Sequence, residues 1–139
     1  MRRIGIGVIG CGLMGRELGS AAGRWMHLLD QKVAPKIVAA CDVNPAARAW
    51  FVANAGPLAV DTADAADVFR CPEVEAVYIA VPHDLHADLY VAAIRAGTHL
   101  FAEKPFGLDL SAAGVKSLTG LLEGHDEEGE AHGPDCSGR

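Results

Sequence analysis

Short aliphatic runs alternate along this chain with longer stretches in which apolar residues recur at helical spacing. Ile4, Ile6, Val8 and Ile9 within Arg3–Ile9 predict a buried parallel strand. Leu13, Met14, Leu18, Ala21, Ala22, Trp25, Met26 and Leu29 then predict a helix over Leu13–Leu29. Ile37–Cys41 is a second predicted strand, and Pro45, at home in a first helical turn, opens the helix that carries Ala46, Ala49, Trp50 and Ala53. A short strand over Leu58–Val60 and a brief helix over Ala63–Phe69, capped by Asp61 or Thr62, come next. Ala76–Val81 is the most apolar strand and is expected at the centre of the sheet, buried on both faces. Its crossover helix, Asp84–Ala96, stops at Gly97 in the left-handed cap position, and Thr98–Ala102 is the fifth strand. Ser111 caps a last predicted helix through Leu122.

Repeated strand–helix units of this length predict an α/β fold with a doubly wound, mostly parallel sheet, because right-handed crossovers place helices on both faces. Residues 1–122 are expected to form one domain. From Glu123 onward glycines mix with acids and no aliphatic larger than Ala appears, so 123–139 is expected to be a disordered acidic tail. The net charge of −6 belongs to that tail: residues 1–122 carry 12 acidic and 11 basic side chains, residues 123–139 carry 6 and 1. A near-neutral domain argues against a nucleic-acid partner. No apolar run approaches the ~18–20 residues of a membrane span, and the stretch after Arg2 and Arg3 is broken by Gly5, Gly7, Gly10 and Gly12, unlike a signal peptide. A cytoplasmic location and no membrane partner are therefore expected. Cys11, Cys41, Cys71 and Cys136 lack zinc or redox spacing and read as free thiols.

The chemistry sits at predicted strand ends. Gly10-Cys11-Gly12-Leu13-Met14-Gly15 follows a full strand and opens a helix, whereas Gly5-Ile6-Gly7-Val8-Ile9-Gly10, which matches the same Gly-x-Gly-x-x-Gly spacing, does neither. In the first register Gly10 permits the tight turn, Gly12 lets backbone approach a pyrophosphate, and Gly15 lets helix and strand pack closely. The helix start at Leu13 and Met14 offers N–H groups and a positive dipole to phosphates. Asp42 ends the second strand, where a carboxylate accepts hydrogen bonds from the adenosine ribose hydroxyls and repels a 2′-phosphate, so NAD is favoured over NADP. Arg48, one helical turn on, softens that preference. The Gly15-to-Asp42 spacing exceeds the usual ~20 residues, which the stretch Asp30–Lys36 is expected to explain.

With strand order 3-2-1-4-5, Val81-Pro82-His83-Asp84-Leu85-His86 and Glu103-Lys104-Pro105 fall beside the glycine turn, where a nicotinamide ring would lie. Lys104 and His86 are the candidate catalytic residues. Lys104 either takes the proton of a substrate hydroxyl, its pKa lowered by desolvation and the cofactor's ring, or hydrogen-bonds that hydroxyl. Glu103 is placed to hold the nicotinamide ribose, with Val81 and Pro82 lining the cofactor. His86 either faces the cleft or hydrogen-bonds the loop. His83 and His86 have i, i+3 spacing but no third ligand, and no metal site is expected.

Together these residues resemble the glucose-fructose oxidoreductase, inositol dehydrogenase and MocA family of NAD(P)-dependent oxidoreductases. The match runs from Arg3 to about Leu122 and is most specific at Ala96-Gly97-Thr98-His99 leading to Glu103-Lys104-Pro105. The resemblance implies a Rossmann domain that binds NAD(H), with Lys104 at the nicotinamide and substrate and Glu103 as its ribose-side neighbour. It also implies hydride transfer from CH–OH groups of sugars, polyols or similar small alcohols. His83 stands where such enzymes often carry asparagine. Family members continue into a second domain that holds substrate specificity and the lysine's partners, and nothing after Leu122 matches it. The chain thus reads as a truncated cofactor domain, able to meet a polyhydroxy substrate only if a second domain is supplied. An NAD(H)-responsive binding module and one chain of a split oxidoreductase are the alternatives. The uncovered fifth strand predicts self-association.

Overall fold

The strand β1 (Arg2–Ile9) occupies the middle of the sheet, with β2 (Val33–Cys41) on one side and β4 (Ala76–Ile79) on the other, all parallel. Beyond these lie β3 (Val60–Thr62) and β5 (His99–Ala102), in the order β3-β2-β1-β4-β5. The computed structural model describes residues 1–103, except for the side chains of Met26 and His27. Lys104, Pro105, the helix expected from Ser111 to Leu122 and the acidic tail lie outside the described residues.

Four α-helices connect the described strands: α1 (Leu13–Gly23), α2 (Pro45–Asn54), α3 (Ala65–Arg70) and α4 (His86–Arg95). Both sheet faces are covered. Ile6, Val8, Ala40 and Tyr78 pack with Phe51, Trp50 and Ala47 of α2 and with Leu18 and Ala22 of α1. Ile9, Val38, Val77 and Ile79 pack on the opposite face with Val68 of α3 and Tyr90 and Ala93 of α4. Phe51 and Tyr90 are fully buried, each contributing ~1.5–3 kcal/mol of transfer free energy. The parallel doubly wound sheet expected from the alternation of elements is the one observed.

Several boundaries differ from the sequence expectation, each for a local reason. The first helix ends at Gly23, not Leu29: residues Arg24–His27 tighten into a 3₁₀ turn, and the Trp25 indole N–H donates to the Val33 carbonyl at 2.8 Å, pulling the chain toward the sheet. The second strand starts at Val33 and carries a bulge opposite Ile6 and Gly7. The long Gly15-to-Asp42 spacing therefore comes from this long strand and from the 3₁₀ turn, with Asp30 at φ +58° in the segment between. The third helix is capped by Asp64, whose side chain accepts from the Ala66 N–H, and not by Asp61 or Thr62. Those two residues belong to β3, where Ala40 and Cys41 pair with them. The fourth strand ends at Ile79, and a second 3₁₀ turn, His83–Leu85, precedes α4. Gly97 has φ +72°, the left-handed conformation expected at that helix end.

Candidate functional site

The sheet reverses direction of winding at β1, whose neighbours continue into helices on opposite faces. In folds of this kind ligands bind outside the carboxyl ends of the strands at that reversal. The backbone of the glycine turn is pinned on both sides: Gly10 N–H donates to the Cys41 carbonyl at 2.8 Å, and Ala80 N–H donates to the Ile9 carbonyl at 2.8 Å. Gly10 has φ +94°, and a Cβ on it would lie 2.3 Å from the Ala80 carbonyl oxygen. A Cβ on Gly15 would lie 2.1 Å from the Gly10 carbonyl oxygen, so this residue sets how closely α1 meets the turn. Gly12 is different: among the described residues a Cβ on it would meet nothing within 4 Å. Its open side, beside the exposed Leu13 and Met14 of the first turn of α1, is the space a phosphate group would take.

Gly12 is the N-cap of α1 and supplies no side-chain cap, so the first N–H groups of the helix have no intrahelical acceptor. Asp42 lies across the turn, half-buried, its two carboxylate oxygens accepting from Cys11 N–H and Asn44 N–H, each at 2.8 Å. Each oxygen keeps a further lone-pair site for a ribose hydroxyl. The carboxylate is thereby oriented by the glycine turn itself. The Cys11 contribution, a main-chain N–H, carries no side-chain signature and could not be read from the sequence. Arg48 donates from Nη1 to the Asp42 carbonyl at 2.6 Å and from Nε to Asp61 Oδ1 at 2.5 Å.

Cys11 and Cys41 are buried beneath the turn, with Cys11 Sγ donating to the Cys41 carbonyl at 3.5 Å. Burial, reinforced by the Asp42 carboxylate, pushes the Cys11 thiol up to about 12 and the Cys41 thiol up to about 11. Both stay neutral at physiological pH and act as small apolar residues. With Cys71 they are free thiols.

At the reacting end, Val81 and Pro82 follow β4 into the 3₁₀ turn, and Glu103 follows β5. Of the two placements expected for His86, facing the cleft or bonding the loop, the structure has the second. His86 is 1% exposed, its Nε2–H donating to the Val81 carbonyl at 2.8 Å and its Nδ1 3.0 Å from the Tyr90 hydroxyl. It starts α4 after the 3₁₀ turn and hydrogen-bonds the loop, one of the two placements open to it from the sequence. His83 remains exposed, its ring 5.3 Å from that of His86. Among the described residues no group of three or more His, Cys, Asp or Glu could hold a metal ion.

Two tyrosines not anticipated from the sequence fasten Glu103. The Tyr78 hydroxyl donates to its carboxylate and the Tyr90 hydroxyl donates to its carbonyl at 3.0 Å. Burial first, and then the Glu103 hydrogen bond, pushes the Tyr78 pKa up; burial does the same for Tyr90. Both phenols therefore remain donors at neutral pH. The i, i+4 spacing of His86 and Tyr90 on one helix was the signal available for that pair. His86 is thus joined to Val81 directly and to Glu103 through the Tyr90 hydroxyl, and Cys11 to Asp42 by a main-chain N–H. Lys104, next in sequence after Glu103, lies outside the described residues.

A doubly wound sheet with a glycine turn open at Gly12 and an acid at the end of β2 defines a dinucleotide-binding Rossmann domain. Its residues 4–127 match the family described as "Oxidoreductase family, NAD-binding Rossmann fold", the GFO_IDH_MocA family, and the chain belongs to it. It is 34% identical over 122 residues to a putative UDP-kanosamine synthase oxidoreductase subunit of Amycolatopsis mediterranei, covering 84% of this chain and 32% of that protein. Apo scyllo-inositol dehydrogenase from Lactobacillus casei superposes with a TM-score of 0.76 at 26% identity, over 90% of this chain and 34% of that one. Levoglucosan dehydrogenase in complex with NADH and L-sorbose gives 0.73 at 25% identity, over 92% and 33%. The chain spans about a third of the length of the relatives it matches. No described helix is long and apolar enough to cross a membrane.

Proposed function

We propose that this domain holds NAD for an oxidoreductase that removes hydride from a CH–OH carbon of a sugar, polyol or similar small alcohol. The observation that carries this reading is the pairing of an open Gly12 with an Asp42 carboxylate aimed by the same turn. The N–H groups opening α1 bind the pyrophosphate, and Asp42 accepts from the adenosine ribose. Glu103, held by Tyr78 and Tyr90, presents its remaining carboxylate oxygen to the nicotinamide ribose. Lys104 takes or holds the hydroxyl proton of the substrate. NAD, when bound, supplies the hydride acceptor. The names of the relatives, an inositol dehydrogenase and a levoglucosan dehydrogenase among them, support a polyhydroxy substrate, and residues beyond this domain would complete its site.

Titration of the full chain with NADH, followed by nucleotide fluorescence and by calorimetry, is expected to give saturable one-to-one binding. NADPH is expected to bind at least about tenfold more weakly, since Asp42 repels a 2′-phosphate. Absence of saturation by either nucleotide at millimolar concentration would sink the reading.

The outer edge of β5 has no strand partner among the described residues, and Phe101 on it is 57% exposed. This supports self-association of the chain through that edge. Sedimentation velocity is expected to show mass above the 14.5 kDa monomer, rising with concentration. A monomer unchanged across a hundredfold range of concentration would remove this part of the reading.

A further inference from the structure

The guanidinium of Arg48 lies next to the end of β2, yet it does not stand free there. Its Nε–H is 2.5 Å from Asp61 Oδ1, its Nη1–H is 2.6 Å from the Asp42 carbonyl oxygen, and its side chain is only 17% exposed. Asp61 belongs to β3, where it pairs with Ala40, one residue before the Cys41–Thr62 pair, and Asp42 N–H in turn donates to the Thr62 carbonyl at 3.1 Å. The two acids thus sit at adjacent strand ends, and the arginine reaches both from α2. Asp64 and Asp67 stand close enough to act on the Cys41 thiol beside them, and Asp67 is itself engaged by Thr62 and Arg70. The ends of β2 and β3 therefore carry more negative than positive charge, and their nearest cation is tied down.

We propose that Asp61 determines cofactor choice from a distance: by holding Arg48 against the strand ends, it keeps that guanidinium away from the 2′ position of the adenosine ribose. The idea rests on the reading that Asp42 faces that ribose. Refusal of a 2′-phosphate then has two parts. Asp42 repels it directly, and Asp61 withholds the planar fork that would otherwise bind it through charge-assisted hydrogen bonds. Because the guanidinium sits within hydrogen-bond distance of Asp42's own main chain, release of one contact is enough to let it swing toward that residue's side chain. Asp61 is 44% exposed at its side chain and lies in a strand of three residues, and in its absence the Asp42 carbonyl still accepts from Arg48.

The test is nucleotide affinity measured on the full chain by NADH and NADPH fluorescence titration. Asp61→Ala is expected to raise NADPH affinity about five- to twentyfold, the scale of one charged hydrogen bond offset by the remaining Asp42. NADH affinity should stay within about twofold. Adding Arg48→Gln to Asp61→Ala is expected to abolish the gain, which separates release of the arginine from the mere loss of a negative charge. Unchanged NADPH affinity in Asp61→Ala, or a gain that survives Arg48→Gln, would overturn the proposal while leaving NADH binding, and the dinucleotide site, intact. If the alanine variant fails to fold, Asp61→Asn tests the same direction at near-constant shape. If the parent chain binds neither nucleotide, the site itself is misread, and this inference falls with it.

Discussion

Gly12→Ala will weaken NADH binding by at least about a hundredfold while leaving the stability of the free domain within about 1 kcal/mol of the parent. Both halves follow from the same observation. A Cβ at Gly12 meets nothing within 4 Å among the described residues, and the residue's φ of −72° and ψ of −156° are open to alanine. Two small terms act on the free domain in opposite directions. Alanine is a poorer N-cap than glycine, at a cost below about 1 kcal/mol, but it lowers the entropy of the unfolded chain by a comparable ~0.4–1 kcal/mol. Binding has no such balance. Under the proposed function the methyl group projects where a pyrophosphate closes on the backbone, and displacing it weakens two or more charged hydrogen bonds at ~1.5–3 kcal/mol each. A thermal melt paired with an NADH titration checks both halves. Unaltered NADH affinity would show that the open side of the turn faces no phosphate, and a large loss of stability would show that the space is not open.

The sequence made the topology legible because each strand is a short apolar run and each crossover a helical period, and the order 3-2-1-4-5 follows from right-handed winding. It was less informative where a side chain interrupts a period that otherwise continues. Trp25 and Leu29 extend the apolar spacing of α1, but the Trp25 indole bond to Val33 draws the chain into a 3₁₀ turn. Thr62 resembles a cap in sequence; in the structure its backbone pairs with Cys41 and its hydroxyl donates to Asp67, leaving Asp64 to cap the helix. In the turn, Gly10 and Gly15 were legible because the close backbone approaches there leave no room for a Cβ. His86 was recognisable as important but not as buried, since an inward turn of three residues separates the cleft from the core. The fastening of Glu103 by Tyr78 and Tyr90 joins residues from opposite faces of the sheet, 25 and 13 positions away. Nothing local in the sequence encodes such a contact.

The second Gly-x-Gly-x-x-Gly match, beginning at Gly5, has a purely structural origin, and Gly5→Ala is expected to destabilise the domain by more than about 3 kcal/mol. A Cβ on Gly5 would lie 1.8 Å from the Glu73 carbonyl oxygen, 3.0 Å from its carbon and 3.2 Å from Val38 Cγ2. The closest of these is main chain, so no rotamer change relieves it. To make room, β1 must separate from the segment before β4. That movement breaks the 2.9 Å bond from Glu75 N–H to the Gly5 carbonyl and the 3.3 Å bond from Gly5 N–H to Glu75 Oε1. Buried polar groups left without partners cost about 1–3 kcal/mol each, and overpacking adds a comparable amount. Against a typical total of about 5–15 kcal/mol, the loss leaves a marginal domain. Urea denaturation monitored by circular dichroism is the measurement, with a midpoint far below that of the parent as the expected result. A midpoint equal to the parent's would mean that β1 and residues 73–75 do not approach this closely. Gly5 and Gly12 therefore make opposite predictions from one sequence pattern: the first should fail in stability before any nucleotide is added, the second only when the nucleotide arrives. Gly10 belongs to both registers, and its positive φ against the Ala80 carbonyl makes it a folding requirement before it is a binding one.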